Sequence, residues 1–280
     1  MFFRQFKNEL WKLFGKRRTC LGFIVLLLAQ LIIVALLRLS PTARQGLAHS
    51  LQLYGSDATD YSSMLTVATL MSSLLGYSLV PLFTALVGGD LMSKEAEDGT
   101  LRLVLARPVS RERLILLKFL AGAVFSCLLL LTLALGGLGL AAVAFPATGD
   151  MVAQLPDQAP SCLPFSTGLW RYSLAHVVML AKALTIFSLA LMFSCCHFKP
   201  AAAAILALTL FTIDRILMEM PFFHELKHCF LGHYLNCWQL VFLQPIPWGQ
   251  LGNALALLGG LSLLFVAAGA FLFHKRDVKL

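Results

Sequence analysis

The sequence predicts an all-α, polytopic membrane protein with six transmembrane helices, and three observations carry that prediction. Of 280 residues, 59% are hydrophobic and only 13% charged, with a mean hydropathy of +0.80; soluble domains run at about half apolar and about a quarter charged. The apolar residues gather into six runs long enough to cross a hydrocarbon core, which takes about 20 residues of helix. Lysines and arginines collect in alternate connections between those runs, the pattern that sets the orientation of membrane helices. The alternation expected of barrel strands is absent. Helices are then the structure that bonds every backbone group inside a bilayer.

The first element precedes the spans. In "MFFRQFKNELWKLFGKRR", Phe3, Phe6, Leu10, Leu13 and Phe14 fall on one stripe at helical spacing, while Arg4, Gln5, Asn8, Lys12 and Lys16 point elsewhere. That pattern predicts an interfacial helix over residues 1–18 on the inner leaflet, its basic side near anionic lipid. Polar and amphipathic residues ahead of the first apolar run, with no A-x-A site after it, do not make a cleavable signal peptide. The spans are placed at residues 19–39, 63–89, 114–145, 170–197, 200–220 and 251–273, within a single transmembrane domain of residues 1–280.

Orientation follows from the connections. The N-terminal segment carries Arg4, Lys7, Lys12, Lys16, Arg17 and Arg18; the second-to-third connection carries Lys94, Arg102, Arg107, Arg111, Arg113 and Lys118; the chain ends in "HKRDVKL". The other connections offer Arg44, Arg171 and Lys227. Both termini and the 90–113 loop are therefore expected in the cytoplasm, and residues 221–250 as an external or re-entrant segment. The formal charge of +8 sits beside apolar runs rather than on a polar surface, which argues against nucleic acid as a partner.

Within the basic loop lies "LMSKEAEDGTLRLVLARPVSRERLILLK". Glu95, Glu97 and Asp98 precede Gly99-Thr100, a pair suited to ending one helix and starting another. Leu101, Leu103, Val104 and Leu105 form a short apolar segment, Pro108 stops it, and Ser110 has the chemistry of an N-cap for the third span. The loop is too short for a catalytic domain. It suits a short helix presented to a cytoplasmic partner.

E-x-E-x-G-T-L followed by L-x-x-P-x-S-R, between the second and third of six spans, resembles the membrane subunit of type-2 ABC exporters. The matching positions are Glu95, Glu97, Gly99, Thr100, Leu101, Leu105, Pro108, Ser110 and Arg111; the amphipathic N-terminus, the long stretch between spans five and six and the tail "FHKRDV" agree with it. The resemblance implies a plasma-membrane permease subunit of exporter type, paired with a second copy or a homologue and seated on two copies of an ABC ATP-binding subunit. It implies that the loop forms a cytoplasmic coupling helix docked in a cleft of the ATPase. Glu95 and Glu97 would pair there with bases of the N-terminal helix such as Arg4, Lys7 or Lys12. A phosphate-cradling loop reads G-x-x-x-x-G-K-[ST], and the only Gly-Lys here is Gly15-Lys16. ATP and Mg then belong to the partner subunit, and the chain itself is expected to be no enzyme and to hold no cofactor.

One motif points elsewhere. In "FFHELKHCFLGH", His224-Glu225-Leu226-Lys227-His228 spells H-E-x-x-H, the zinc-protease pattern, with His233 five residues on. Catalytic zinc takes three protein ligands, but Leu231 stands where the longer metzincin pattern needs glycine. The only carboxylate side chain after Glu225 is Asp277. An intramembrane zinc metalloprotease is thus an alternative reading, as is a non-catalytic metal site from His224, His228, His233, Cys229 and Cys237. An ATP-independent carrier is a third, and it calls for an internal inverted repeat, which is not evident. The resemblance implies instead that residues after the fifth span form short helices closing the outer mouth. Trp238, Trp248 and Tyr234 read as interface residues, and Pro221, Pro245 and Pro247 interrupt regular helix. Seven cysteines without a C-x-x-C pair make no redox or metal signature.

Ionisable residues inside a bilayer are costly and mark function by default. Lys182 falls about 18 Å along the fourth span, near mid-membrane. Asp214, Arg215 and Glu219 fall in the outward half of the fifth. Asp214 is expected to pair with Arg215 or, across helices, with Lys182; the alternative is a translocation path in which Lys182, Asp214 and Arg215 meet an anionic or amphipathic substrate. Pro81, Gly136, Gly137 and Gly139 are expected to allow kinks or close helix contacts.

Overall fold

A computed structural model of the chain describes residues 2–43, 45–46, 63–101, 110–146, 149–155, 158–196 and 198–275. Its helices are α1 (Phe2–Phe14), α2 (Arg17–Leu39), α3 (Met64–Glu97), α4 (Arg111–Ala144), α5 (Phe165–Cys195), α6 (Pro200–Glu219), α7 (Leu231–Leu235) and α8 (Trp248–Lys275). Among the described residues, α2, α3, α4, α5, α6 and α8 are long and apolar enough to cross a membrane. The fold is all-α and polytopic. Two 3-10 helices, Pro221–Cys229 and Cys237–Phe242, flank α7.

A small antiparallel hairpin, β1 (Met151–Leu155) with β2 (Gln158–Leu163), is absent from the sequence-based expectation. The strands are too short, and too mixed in character, to show a period-2 pattern, and their register shifts between Ala153 and Leu155. The hairpin is held from outside: Ser63 Oγ donates to Asp150 O at 2.8 Å and Val152 N donates to Thr66 Oγ1 at 3.0 Å. Met151, Ala153 and Leu163 are buried against the start of α3.

Burial sorts the spans. α5 is the most enclosed, whereas α2, α6 and α8 turn Ile24, Ile32, Ile205, Ile213, Leu263 and Phe271 outward, as lipid-facing helices do. At the centre α3 is clasped between α5 and α6 where two glycines remove side-chain bulk. A Cβ on Gly88 would lie 2.8 Å from Phe187 O, and one on Gly89 would lie 2.8 Å from Ala204 N. Just beyond, Ser194 of α5 inserts its hydroxyl into the α3 ladder. It accepts from Met92 N (3.0 Å) and Ser93 N (2.9 Å) and donates to Gly89 O (2.8 Å). A side chain inserted in the ladder is one of the recognised causes of a helix bend, and it falls eight residues before the end of α3 at Glu97, counting from Gly89.

Close contact also joins α2 to α4. Gly136 and Gly137 leave room for the Gln30 side chain, whose Nε2 donates to Leu133 O at 2.7 Å inside the bundle. Gly139 faces open space, so its expected packing role is not used. At one end of the bundle gather α1, the start of α2, the end of α3, the start of α4 and the end of α8. At the opposite end Arg38 of α2 donates to Val143 O and Ala144 O at the end of α4. The first end carries most of the lysines and arginines, and is called the basic end below.

Candidate functional site

At the basic end the apolar stripe of α1 packs inward. Leu13 is buried and Phe6, Leu10 and Phe14 lie half-buried against the core, but Phe3 is 79% exposed and stands off it. The same face brings in an acid. Glu9 is nearly buried, with Oε2 3.1 Å from Lys118 Nζ and Oε1 2.9 Å from Lys12 Nζ. Lys118 also meets Glu95 at 2.9 Å, and Lys12 meets Glu95 at 3.4 Å. Two carboxylates and two ammonium groups thus close a neutral cluster that ties α1 to the end of α3 and the start of α4. Burial alone would push the Glu9 carboxyl up, but the Lys118 and Lys12 ammoniums outweigh it and hold it below the ordinary range. Burial likewise opposes the charge of Lys12, and Glu9 and Glu95 overcome it and raise its pKa.

The loop after α3 starts as its composition predicts. Gly99 takes φ +71°, the left-handed position where a helix C-terminus favours glycine, and helical residues resume at Thr100 and Leu101. Leu101 is buried, and Thr100 Oγ1 donates to Glu95 O at 3.3 Å. Leu105 and Pro108, with Arg102 and Arg107, lie outside the described residues. On the far side Ser110 caps α4, accepting from Arg113 N. Arg111 reaches across to the last span, donating to Phe273 O (3.0 Å) and His274 O (2.9 Å) with its guanidinium over the Phe273 ring. A cation on the final carbonyls of α8 is a favourable helix-end contact.

Of the bases weighed for Glu95, the structure places Lys12 beside it. Glu97 lies against Lys94 at 3.1 Å instead, as does Asp98 at 3.2 Å. Sequence reasoning missed the two buried members of the cluster. Glu9 sits three residues after Phe6 and four before Leu13, so it belongs to the packed face. Lys118 sits three or four residues from Leu114, Ile115, Ala121 and Gly122 on the inner side of α4. A charge in phase with an apolar stripe was the available signal.

Deeper in the bundle, Lys182 is 2% exposed and its Nζ lies 5.3 Å from the Tyr77 ring centre and 5.8 Å from that of Phe211. The Arg215 guanidinium lies 3.5 Å over the same Tyr77 ring and pairs with Glu219 on its own helix. Asp214 goes elsewhere. It accepts from the backbone N–H groups of Leu231 (2.9 Å) and Gly232, so it caps α7 rather than pairing with Lys182 or Arg215. The reason is local: α7 leaves its first amides unbonded, and Gly232 has no Cβ to keep the carboxylate away.

The segment after α6 does not build the helix that H-E-x-x-H chemistry uses. Residues Pro221–Cys229 form a 3-10 helix, so positions 224 and 228 are separated by about 120° around the axis instead of sharing a face. The His224 side chain lies outside the described residues. The His228 and His233 rings meet edge to face at 5.0 Å, and His233 meets Tyr234 in the same way. Burial, with His228 and Lys227 nearby, holds His233 below its ordinary value. Among the described residues no three His, Cys, Asp or Glu side chains are grouped as a metal site would need. Trp238 is buried against Phe242 rather than placed at an interface, whereas Trp248 is exposed. Arg171 secures this segment to α5, donating to Val241 O (3.2 Å) and Leu243 O (2.7 Å).

Six helices long and apolar enough to cross a membrane, with an N-terminal helix ion-paired to the end of the second and the start of the third, make a polytopic membrane protein. A family model described as ABC-2 family transporter protein matches residues 5–170, from α1 into the start of α5 and more than half of the chain. The chain belongs to the ABC-2 transporter family. Comparison with curated proteins gave no match.

Proposed function

We propose that the chain is an exporter permease of the plasma membrane, driven by a separate ABC ATPase through the turn at Gly99 and the residues that follow it. The neutral cluster of Glu9, Lys12, Glu95 and Lys118 carries this reading. The two flanks of the connection each contact the bundle: Glu95 through Lys118 to Glu9 of α1, and Arg111 to the end of α8. Helices shifting as bodies about packed contacts are an established kind of transition. Family membership brings an ATP-binding subunit as general partner. Two copies of that subunit, holding ATP and Mg, would serve two permease copies or one copy and a homologue. On this reading the basic end faces the cytoplasm, α1 lies in the inner leaflet with Trp11 in lipid, and the segment from Pro221 closes the far mouth.

The test is co-purification with an ABC ATP-binding subunit from the same genome. Wild-type permease is expected to retain the ATPase and to support ATP-driven transport. Gly99→Pro and Glu97→Arg, which distort the turn and reverse a charge beside it, are expected to lose both while the permease still folds. Unchanged ATPase binding and transport in both variants would overturn the coupling role.

A further inference from the structure

Among the described residues Lys182 has no carboxylate partner. Among the described residues, both acids of α6 are committed elsewhere, Asp214 to the amides of α7 and Glu219 to Arg215. Cys237, which interacts electrostatically with Lys182, is a thiol whose pKa burial pushes up to about 11, so it stays neutral. What surrounds the ammonium is aromatic: Tyr77 and Phe211. An unmatched cation inside a bilayer is expensive and is retained where function needs it.

A second, independent observation sits on the same ring. Arg215, stacked on Tyr77, keeps Nε and Nη1 buried without an acceptor. A buried donor with no partner loses its water without recompense. One group would answer both deficits: Lys182 Nζ lies 5.3 Å and the Arg215 guanidinium 3.5 Å from the centre of the same ring, and a phosphate or carboxylate offers each cation charge-assisted hydrogen bonds of about 2.8 Å. There is a way in. Tyr77 is itself 39% exposed, and Leu74 on α3 and Ile216 on α6 are exposed apolar neighbours in sequence for an alkyl chain to follow.

We infer that Lys182 and Arg215 bind the anionic head of an amphiphile, a phosphate or carboxylate on an alkyl chain, which Tyr77 admits between α3 and α6. That this amphiphile is cargo rests on the permease reading above; that the site binds it does not.

The experiment uses the purified full chain in a non-ionic detergent, with radiolabelled monododecyl phosphate as probe. Saturable binding is expected, displaced by unlabelled dodecyl phosphate and not by dodecyltrimethylammonium. Lys182→Met and Arg215→Gln should each weaken it roughly tenfold or more, Lys182→Arg should keep it, and Glu219→Gln should tighten it by releasing Arg215. Displacement by phosphatidylglycerol as well would assign the site to a bilayer lipid head, and its failure to displace would assign it to a free single-chain amphiphile. Melting curves without probe guard against misfolding, since removing an unmatched charge should not lower the melting temperature of Lys182→Met. Absent saturable binding, or equal binding by wild type, Lys182→Met and Arg215→Gln, would overturn the inference. Glu97→Arg should bind the probe normally, so a failed coupling test and a failed anion site are told apart.

Discussion

Two lysines of this protein are equally hidden and keep opposite company. Lys118 (1% exposed) lies between the carboxylates of Glu9 and Glu95; Lys182 (2% exposed) lies between the rings of Tyr77 and Phe211. Burial of a charge therefore does not tell its role. At the basic end four charges cancel and fix three helices to one another, which makes a strut. In the bundle no described carboxylate answers the charge, which is the basis for the anion site inferred above. A structure that placed both lysines in matched clusters would describe a scaffold. Here one lysine is matched and the other, among the described residues, meets aromatic rings instead.

The same substitution at the two positions breaks or sharpens that contrast. Lys118→Met should destabilise by about 3–5 kcal/mol, because it strands two carboxylates in a buried site. Thermal or denaturant unfolding of the detergent-solubilised chain measures it, and Glu9→Gln added to Lys118→Met should recover part of the loss. Ser194→Ala comes next. It removes the hydroxyl that serves Met92 N and Ser93 N and should cost about 1–3 kcal/mol, read from the same curves and from faster amide exchange at those two positions. Lys182→Met should be neutral or stabilising by about 1 kcal/mol, since it removes a buried charge that no described carboxylate offsets. Equal losses at positions 118 and 182 would erase the distinction drawn between them.

The smallest effect expected is with pH. Glu9 titrates below its ordinary value in the folded chain, so its stabilisation is present above about pH 4.3 and is lost as pH falls through the lowered value. Lys12 titrates above its ordinary value, so its share is present below about pH 10.4 and is lost as pH rises through the raised value. The stability difference between wild type and Glu9→Gln should accordingly stay flat from about pH 5 to about pH 10. A difference that disappears near pH 7 would show that the cluster is not ionised as described.

What could be read without coordinates was local. Six apolar runs, the helix break at Gly99-Thr100 and the cap at Ser110 each depend on a few adjacent residues, and each stands in the structure. The partners of charges depend on the fold. Glu9 and Lys118 are 109 residues apart in the chain, and no adjacent pattern joins them. Sequence proximity and charge pair Asp214 with Arg215 or Lys182, yet it serves the amides of a short helix formed seventeen residues later. The H-E-x-x-H spacing presupposes an α-helix, and Pro221 opens a 3-10 turn where that presupposition fails. Trp238 was assigned to an interface by residue type, but packing against Phe242 buries it. The hairpin at residues 151–163 is held by contacts from α3 rather than by a pattern of its own.

ATP-driven coupling requires the turn at Gly99 to face the compartment that supplies ATP. A single cysteine placed at position 97 in a chain stripped of its seven native cysteines can be probed with a membrane-impermeant thiol reagent. Glu97→Cys is expected to stay unlabelled in intact cells and to be labelled once the membrane is opened. Labelling in intact cells would contradict it, because no ATPase could then reach the site at which the chain is said to be driven.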